Sequence, residues 1–203
     1  MSEDEVAALG GVWVRDFRAI EGGPGREPSD VCWVQAGTYF ADVRRGRPGA
    51  EVGHWLDRNQ GFSGAITVEG SAITWWHDLD TMPRPPGHHD VGVVERRGDR
   101  LVERGPGYEE HWRRESTAGA SPAVLELRCT SPGSGEGKLM ARVVRVGDLA
   151  AAVWAGNPGG GAVLTGRGWP ERCRIGGADL LGDVQRVLRQ PEAQAPPPWH
   201  KVL

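Results

Sequence analysis

Apolar and polar residues alternate with a period of two in a succession of short runs, and Gly, Pro, Asn and Asp break the alternation at close intervals. Such spacing predicts consecutive antiparallel strands. After a polar start, residues 11–19 (GVWVRDFRA) set Trp13, Arg15 and Phe17 on one face against Val14, Asp16 and Arg18 on the other. The loop EGGPGREPSD follows, and VCWVQ and GTYFADVRRG are then two strands separated only by Ala36 and Gly37, a hairpin spacing. Residues 46–61, rich in Gly, Pro, Arg and Asp, are expected to loop over one end of the sheet, with a helical turn at 54–57. Residues 62–69 and 71–79 predict a hairpin about Glu69-Gly70-Ser71. Its second strand carries Ile73, Trp75, His77 and Leu79 on one face and Thr74, Trp76, Asp78 and Asp80 on the other. The first set is the more apolar, so His77 is expected to point inward. MPRPPGHH interrupts the sheet, because proline removes ladder donors. DVGVVER, DRLVERG and GYEEHWRRE follow as three strands, the last setting Tyr108, Glu110, Trp112 and Arg114 against Glu109, His111 and Arg113.

The small, flexible segment STAGAS at 116–121 is the expected boundary, giving domains over 1–116 and 117–203. Beyond it AVLELRC, KLMARVVRV, LAAAVWA and AVLTGRGW read as four more strands. ADLLGDVQRVLR, residues 178–189, carries Leu180, Leu181, Val184, Val187 and Leu188 at helical spacing. PEAQAPPPW is an extended proline-rich tail that can lay Trp199 on a barrel. The fold class expected is all-β, two consecutive antiparallel barrels with a short C-terminal helix.

Composition sharpens this picture. In 203 residues, 31 glycines and 15 prolines punctuate the apolar runs instead of forming one biased tract, so they read as turns and not as disorder. Nine tryptophans suit pleated, half-buried surfaces and equally suit a ligand cavity. The net charge of −3, from 24 basic and 27 acidic residues intermixed along the chain, lacks the basic footprint that nucleic acid or an anionic membrane requires. Cys32, Cys129 and Cys173 are odd in number and far apart, and the acidic start MSEDEV lacks the basic and apolar regions of a signal peptide. A cytoplasmic, reducing location is therefore expected. No apolar run approaches the roughly 20 residues that span a bilayer.

The chemically distinctive residues gather between residues 71 and 114. Trp13, Trp33, Phe40, Trp75 and Trp112 fall on alternating positions of successive strands, where they serve either as packing or as cavity walls. Arg15 shares a face with Trp13, Arg44 and Asp42 with Phe40, and Glu110 with Tyr108 and Trp112. An inward Arg15 or Arg44 should meet Glu110, Asp42 or a ligand oxygen, because a buried charge is costly unless paired. Both an internal ion pair and ligand recognition fit. His77 and Asp80 are candidate acid/base groups, with a satisfied core histidine as the alternative. A metal is not expected: His88 and His89 are adjacent and point apart in an extended backbone, and no HxH or HxxxH pair sets two ligands on one face. GNPGGGAVLTG lacks the GK[ST] of a phosphate-binding loop, and no GxSxG is present, so neither a nucleotide cofactor nor hydrolase chemistry is implied.

With REPSD (26–30), GTYFADVR (37–44), FSG (62–64), WWHDLDT (75–81), DVG (90–92), LVERG (101–105), YEEHWR (108–113) and ARVVRVGDL (141–149) in this order, the chain resembles the Hri proteins of fungi. These are small cytosolic proteins built from two lipocalin-like β-barrels. The resemblance implies that fold, with a broader kinship to calycins, whose barrels commonly enclose a small apolar ligand, and it implies no particular chemistry. The function expected is binding of a small, mainly apolar molecule bearing an anionic or carbonyl oxygen in the first barrel. Trp13, Arg15, Trp33, Phe40, Arg44, Trp75, Tyr108 and Trp112 are its candidate ligand contacts. The rival is a cofactor-free cyclase, isomerase or dehydratase using His77, Asp80, Tyr108 or Glu110 to move a proton. A third reading is a protein-interaction module whose barrels are filled.

Overall fold

The computed structural model describes residues 3–47, 60–82, 84–117, 121–129, 137–147, 149–154, 162–164 and 199–201. A short helix, α1 (Glu3–Leu9), leads into eight strands: β1 (Gly11–Ile20), β2 (Ser29–Ala36), β3 (Tyr39–Gly46), β4 (Gln60–Glu69), β5 (Ala72–Asp80), β6 (His89–Arg97), β7 (Arg100–Gly105) and β8 (Tyr108–Arg114). Each pairs antiparallel with the next, and β1 pairs with both β2 and β8, closing the barrel. Closure leaves none of these strands as a free edge.

The period-two alternation of Trp13, Trp33, Phe40, Ile66, Ile73, Trp75, Leu101 and Trp112 sends these side chains into one buried cluster. Trp33 is its centre, with ring centroids 6.3 Å from Trp13, 5.9 Å from Trp75 and 5.8 Å from Trp112, the last two edge to face. Offset and edge-on contacts of this kind add to the area these rings bury. Val6 and Leu9 of α1 join the cluster, and the Trp13 indole donates to the Leu9 carbonyl at 2.8 Å, so the helix plugs one end of the barrel. The opening residues thus hold a helix, not merely a polar start. Among its described side chains only Val6 and Leu9 are inward positions, too few to establish a helical period.

Two bulges alter the faces that alternation predicts. In β1 the register slips between Arg15 and Phe17, and Arg18, expected opposite Arg15, is buried and pairs across from Glu110, while Phe17 lies opposite His111. Between β4 and β5 the register slips at Ser63/Gly64, where β5 holds one extra residue, Asp78. Past that point Leu79 faces outward, contrary to its expected place beside His77, and Asp80 comes opposite the inward Phe62. An extra residue changes the phase of every later side chain in a strand. Gly64 permits the bulge: a Cβ there would lie 1.6 Å from the Trp76 carbonyl oxygen.

The second half adds β9 (Ala123–Cys129), β10 (Lys138–Val146), β11 (Leu149–Trp154), β12 (Ala162–Leu164) and β13 (Trp199–Lys201), ordered β12-β11-β10-β9-β13 in one sheet. Val124, Val144, Leu149, Ala151 and Val153 pack on Val12, Cys32, Val34, Ala41, Val43 and Leu79 of the barrel's outer face. That cover explains why β2 is buried almost continuously instead of alternately. Arg142, buried on β10, spans the junction, reaching Asp78 at 2.8 Å and Glu126 at 2.5 Å with its guanidinium 4.9 Å from the Tyr39 ring. Among the described residues this sheet is open, with no closure into a second barrel. The helix expected over 178–189 and the turn expected over 54–57 lie outside the described residues.

Candidate functional site

At the end of β1 away from α1 the barrel encloses a cavity of about 280 Å³. Trp33, Phe40, Phe62, Trp75 and Trp112 form its apolar wall, and Ile20, Pro106 and Gly107 stand at its rim beside Tyr108. Closure of the barrel aims these rings at one space. The polar lining consists of Asp42, Arg44, Asp90, Glu103 and Glu110, with Glu21 at the rim.

The buried charges form two linked groups. Arg15 holds Glu27 through two nitrogens, at 2.7 and 3.1 Å, and also pairs with Glu110. Glu27 is further fixed by the Ser29 amide, 3.0 Å away. Arg44 grips Asp42 two residues earlier on the same strand face, at 2.8 and 3.2 Å, and lies over the Phe62 ring at 4.9 Å. One donor remains: Arg44 Nη1 is buried without a hydrogen-bond partner. An unmet charged donor in a dry site is expensive, and a ligand oxygen would relieve it.

Glu103 supplies a different chemistry. It lies directly opposite Glu110 on the β7–β8 ladder, and both side chains are buried. Tyr108 Oη donates to its Oε1 at 2.7 Å and Trp112 Nε1 to its Oε2 at 3.1 Å. Burial, reinforced by the Glu110 charge, nevertheless pushes the Glu103 carboxyl up to about 8. Like charges facing each other in a low-dielectric site cannot both be held cheaply, so Glu103 keeps its proton to a higher pH than a free glutamate does. Tyr108 is driven far above the ordinary phenol range by burial and by Glu103.

His77 lies beside the cavity and outside its wall, stacked on Phe62 at 4.4 Å with the planes 8° apart. Its Nδ1 is 3.0 Å from Asp80, and its Nε2 is 3.3 Å from Asp90. Burial lowers the basicity of this imidazole, yet the two carboxylates outweigh it and the net shift is upward. Asp80 also accepts the Met82 amide at 2.7 Å, which fixes its position.

The structure thus brings Trp33, Phe40, Arg44, Trp75, Tyr108, Glu110 and Trp112 of the candidate residues to one cavity. Trp13 and Arg15, expected as ligand contacts, do not line it. Trp13 packs at the plugged end against Leu9, and Arg15 is engaged by Glu27 and Glu110. His77 and Asp80 meet each other, which the bulge in β5 allows, but neither borders the cavity. Sequence reasoning missed Glu103 and Phe62. Glu103 was signalled by alternation in LVERG, where it shares the inward face with Leu101, while Phe62 begins a run that also continues as small residues.

No protein-family model matches the chain, and no curated protein sequence does either. Among solved structures, a lipocalin-like protein from Bacteroides uniformis superposes with a TM-score of 0.40 and 16% identity, over 53% of this chain and 98% of its own. An uncharacterized protein from Saccharomyces cerevisiae superposes with a TM-score of 0.48 and 10% identity, over 75% of this chain and 83% of its own. No helix among the described residues is long and apolar enough to cross a membrane.

Proposed function

We propose that the first barrel binds a small, mainly apolar molecule through a carbonyl oxygen, in the manner of a lipocalin-like carrier. The observation that carries this reading is Arg44 Nη1, a buried guanidinium donor with no partner on the wall of an aromatic cavity. The volume of about 280 Å³ suits a compact molecule of one or two rings. The lining favours a carbonyl over a full anion, since Asp42, Asp90 and Glu110 accompany Arg44, the one cation among the described lining residues. A cavity with an unmet polar donor also weighs against a barrel filled solely for protein interaction. The residues resembling the fungal Hri proteins support assigning the chain to that family, with units over 1–116 and 117–203 and a cytoplasmic location.

A second reading rests on Glu103. A carboxylic acid kept neutral near pH 7 beside a carboxylate gives one cavity both a proton donor and a potential acceptor, which suits cofactor-free isomerisation, cyclisation or dehydration of a carbonyl compound. Glu103 then replaces His77 and Asp80 as the leading proton-transfer candidate, because it borders the cavity and they do not.

Titrating a neutral aryl ketone, acetylnaphthalene, against tryptophan fluorescence tests the binding reading. Arg44→Lys keeps a cation for Asp42 but removes the Nη1 donor, and affinity should fall by the ~1.5–3 kcal/mol of a charge-assisted hydrogen bond. Equal affinity in Arg44→Lys and the unaltered protein, with unchanged melts, would remove Arg44 from the site. Conversion of an enolisable ketone that stops in Glu103→Gln while binding persists would favour the enzyme.

A further inference from the structure

We infer that His77, His88 and Asp90 form a binding site for one divalent transition-metal ion of the zinc type, beside the cavity of the barrel. The three side chains offer two imidazole nitrogens and a carboxylate, and their donor atoms all lie within 4.8 Å of one another. His77 Nε2 is 3.3 Å from one Asp90 oxygen and His88 Nε2 is 3.4 Å from the other. Zinc bonds of about 2.0–2.1 Å in a tetrahedron set neighbouring donors roughly 3.3–3.4 Å apart, and each imidazole nitrogen already stands at about that distance from one of the two Asp90 oxygens.

A second observation points to an ion. His77 Nε2 and His88 Nε2 are both buried and neither has a hydrogen-bond partner, and the His77 side chain is only 2% exposed. Asp90 is the charged group near both nitrogens, at 3.3 and 3.4 Å. Two converging nitrogens left unmet over one carboxylate are poor packing on their own terms and a ready set of ligands for a cation.

The surroundings fit the same role. Nδ1 of His77 is 3.0 Å from Asp80, a carboxylate that can only accept there, so in the neutral ring the lone pair lies on Nε2, the nitrogen turned toward Asp90 and His88. A carboxylate behind a ligating histidine fixes its tautomer and strengthens it as a donor. The His77 ring is clamped by Phe62 and meets His88 edge to face at 5.1 Å. Asp80 and Asp90 balance the charge of a divalent ion. Imidazole donors favour zinc, cobalt, nickel or copper over magnesium and calcium. Three protein donors leave a coordination position, and Asp90 is 36% exposed and lines the cavity, so water or a cavity ligand can reach the ion.

Linear spacing hides this set because it is made by pairing. In β5 and β6 Trp75 lies opposite Asp90 and Trp76 opposite His89, and the His77 amide bonds the His88 carbonyl at 3.2 Å. His88 and His89 do point apart: His89 lies on Trp76 with centroids 4.5 Å apart, leaving His88 for the site.

Untagged full-length protein, stripped with chelator and desalted, is titrated with Zn²⁺ by calorimetry and with Co²⁺ by visible absorption, with no organic ligand present. The expected result is one equivalent bound and ligand-field bands of four- or five-coordinate cobalt. His88→Ala and Asp90→Asn should each weaken binding at least 10-fold, Asp80→Asn about 10–100-fold through His77, and His89→Ala should have no effect. Melts of the metal-free variants exclude misfolding, and His88 is the cleanest test because its side chain is 24% exposed. The inference is overturned if the unaltered protein takes up no stoichiometric metal, or if uptake survives His88→Ala and Asp90→Asn together. It stands or falls independently of ligand binding at Arg44, since neither readout uses the ketone.

Discussion

Replacing Glu103 by Gln tests the electrostatics of the cavity through stability alone. In the unfolded chain a glutamate ionises near 4.5, whereas in the fold burial and Glu110 raise Glu103 to about 8. The folded protein therefore holds this proton more tightly than the unfolded one. The associated stability is complete below pH 4.5 and is lost as pH rises through about 8. The difference of about 3.5 units corresponds to a ceiling of roughly 5 kcal/mol, and to roughly 3 kcal/mol of it already lost at pH 7. Glutamine has the same shape and never ionises, so it escapes this loss. It forfeits one acceptor, that for Tyr108 or for Trp112, at a cost of about 1 kcal/mol. Urea denaturation of both proteins should then show Glu103→Gln within about 1 kcal/mol of the parent at pH 5 and more stable by ~3 kcal/mol at pH 8. Every other titrating group is common to the two proteins, so the pH dependence of the difference reports Glu103 together with its coupling to Glu110. A difference that stays constant from pH 5 to 8.5 would refute the neutral carboxyl and with it the best argument for proton transfer in the cavity.

Two further outcomes follow from the packing. Gly64→Ala should destabilise the barrel by more than ~3 kcal/mol, because the added Cβ overlaps the Trp76 carbonyl at 1.6 Å and the bulge cannot relax without moving the β4–β5 ladder; a parental melting temperature would show the bulge to be misplaced. Acetylnaphthalene should quench fluorescence less in Trp75→Phe or Trp112→Phe than in Trp76→Phe, since Trp76 is exposed on the outer face. Dependence on Trp154 or Trp169 alone would put the ligand in the second half instead.

The fold was largely legible in the strands. LVERG and YEEHWR each alternate cleanly, and the turns at Gly70, Gly98 and Gly107, all with positive φ, announce themselves as glycines. The bulges were not legible, because one extra residue such as Asp78 leaves the local pattern intact while inverting the faces of Leu79 and Asp80. Nor was the cover on β2, whose Val34 and Ala36 owe their burial to a sheet more than eighty residues later.

The order of apolar and polar residues determines by itself that this chain makes antiparallel strands and which face of most of them carries tryptophan. That follows from a side-chain period of two, a local property of the backbone. Only the tertiary structure decides which inward groups meet. Closure between β1 and β8 brings Arg15 to Glu110, the β7–β8 register sets Glu103 against Glu110, and the β5–β6 register carries His88 and Asp90 to His77. Each pairing depends on strand register and on the slip introduced by a bulge. These are global consequences of closing the barrel around the tryptophan core, and no local spacing encodes them.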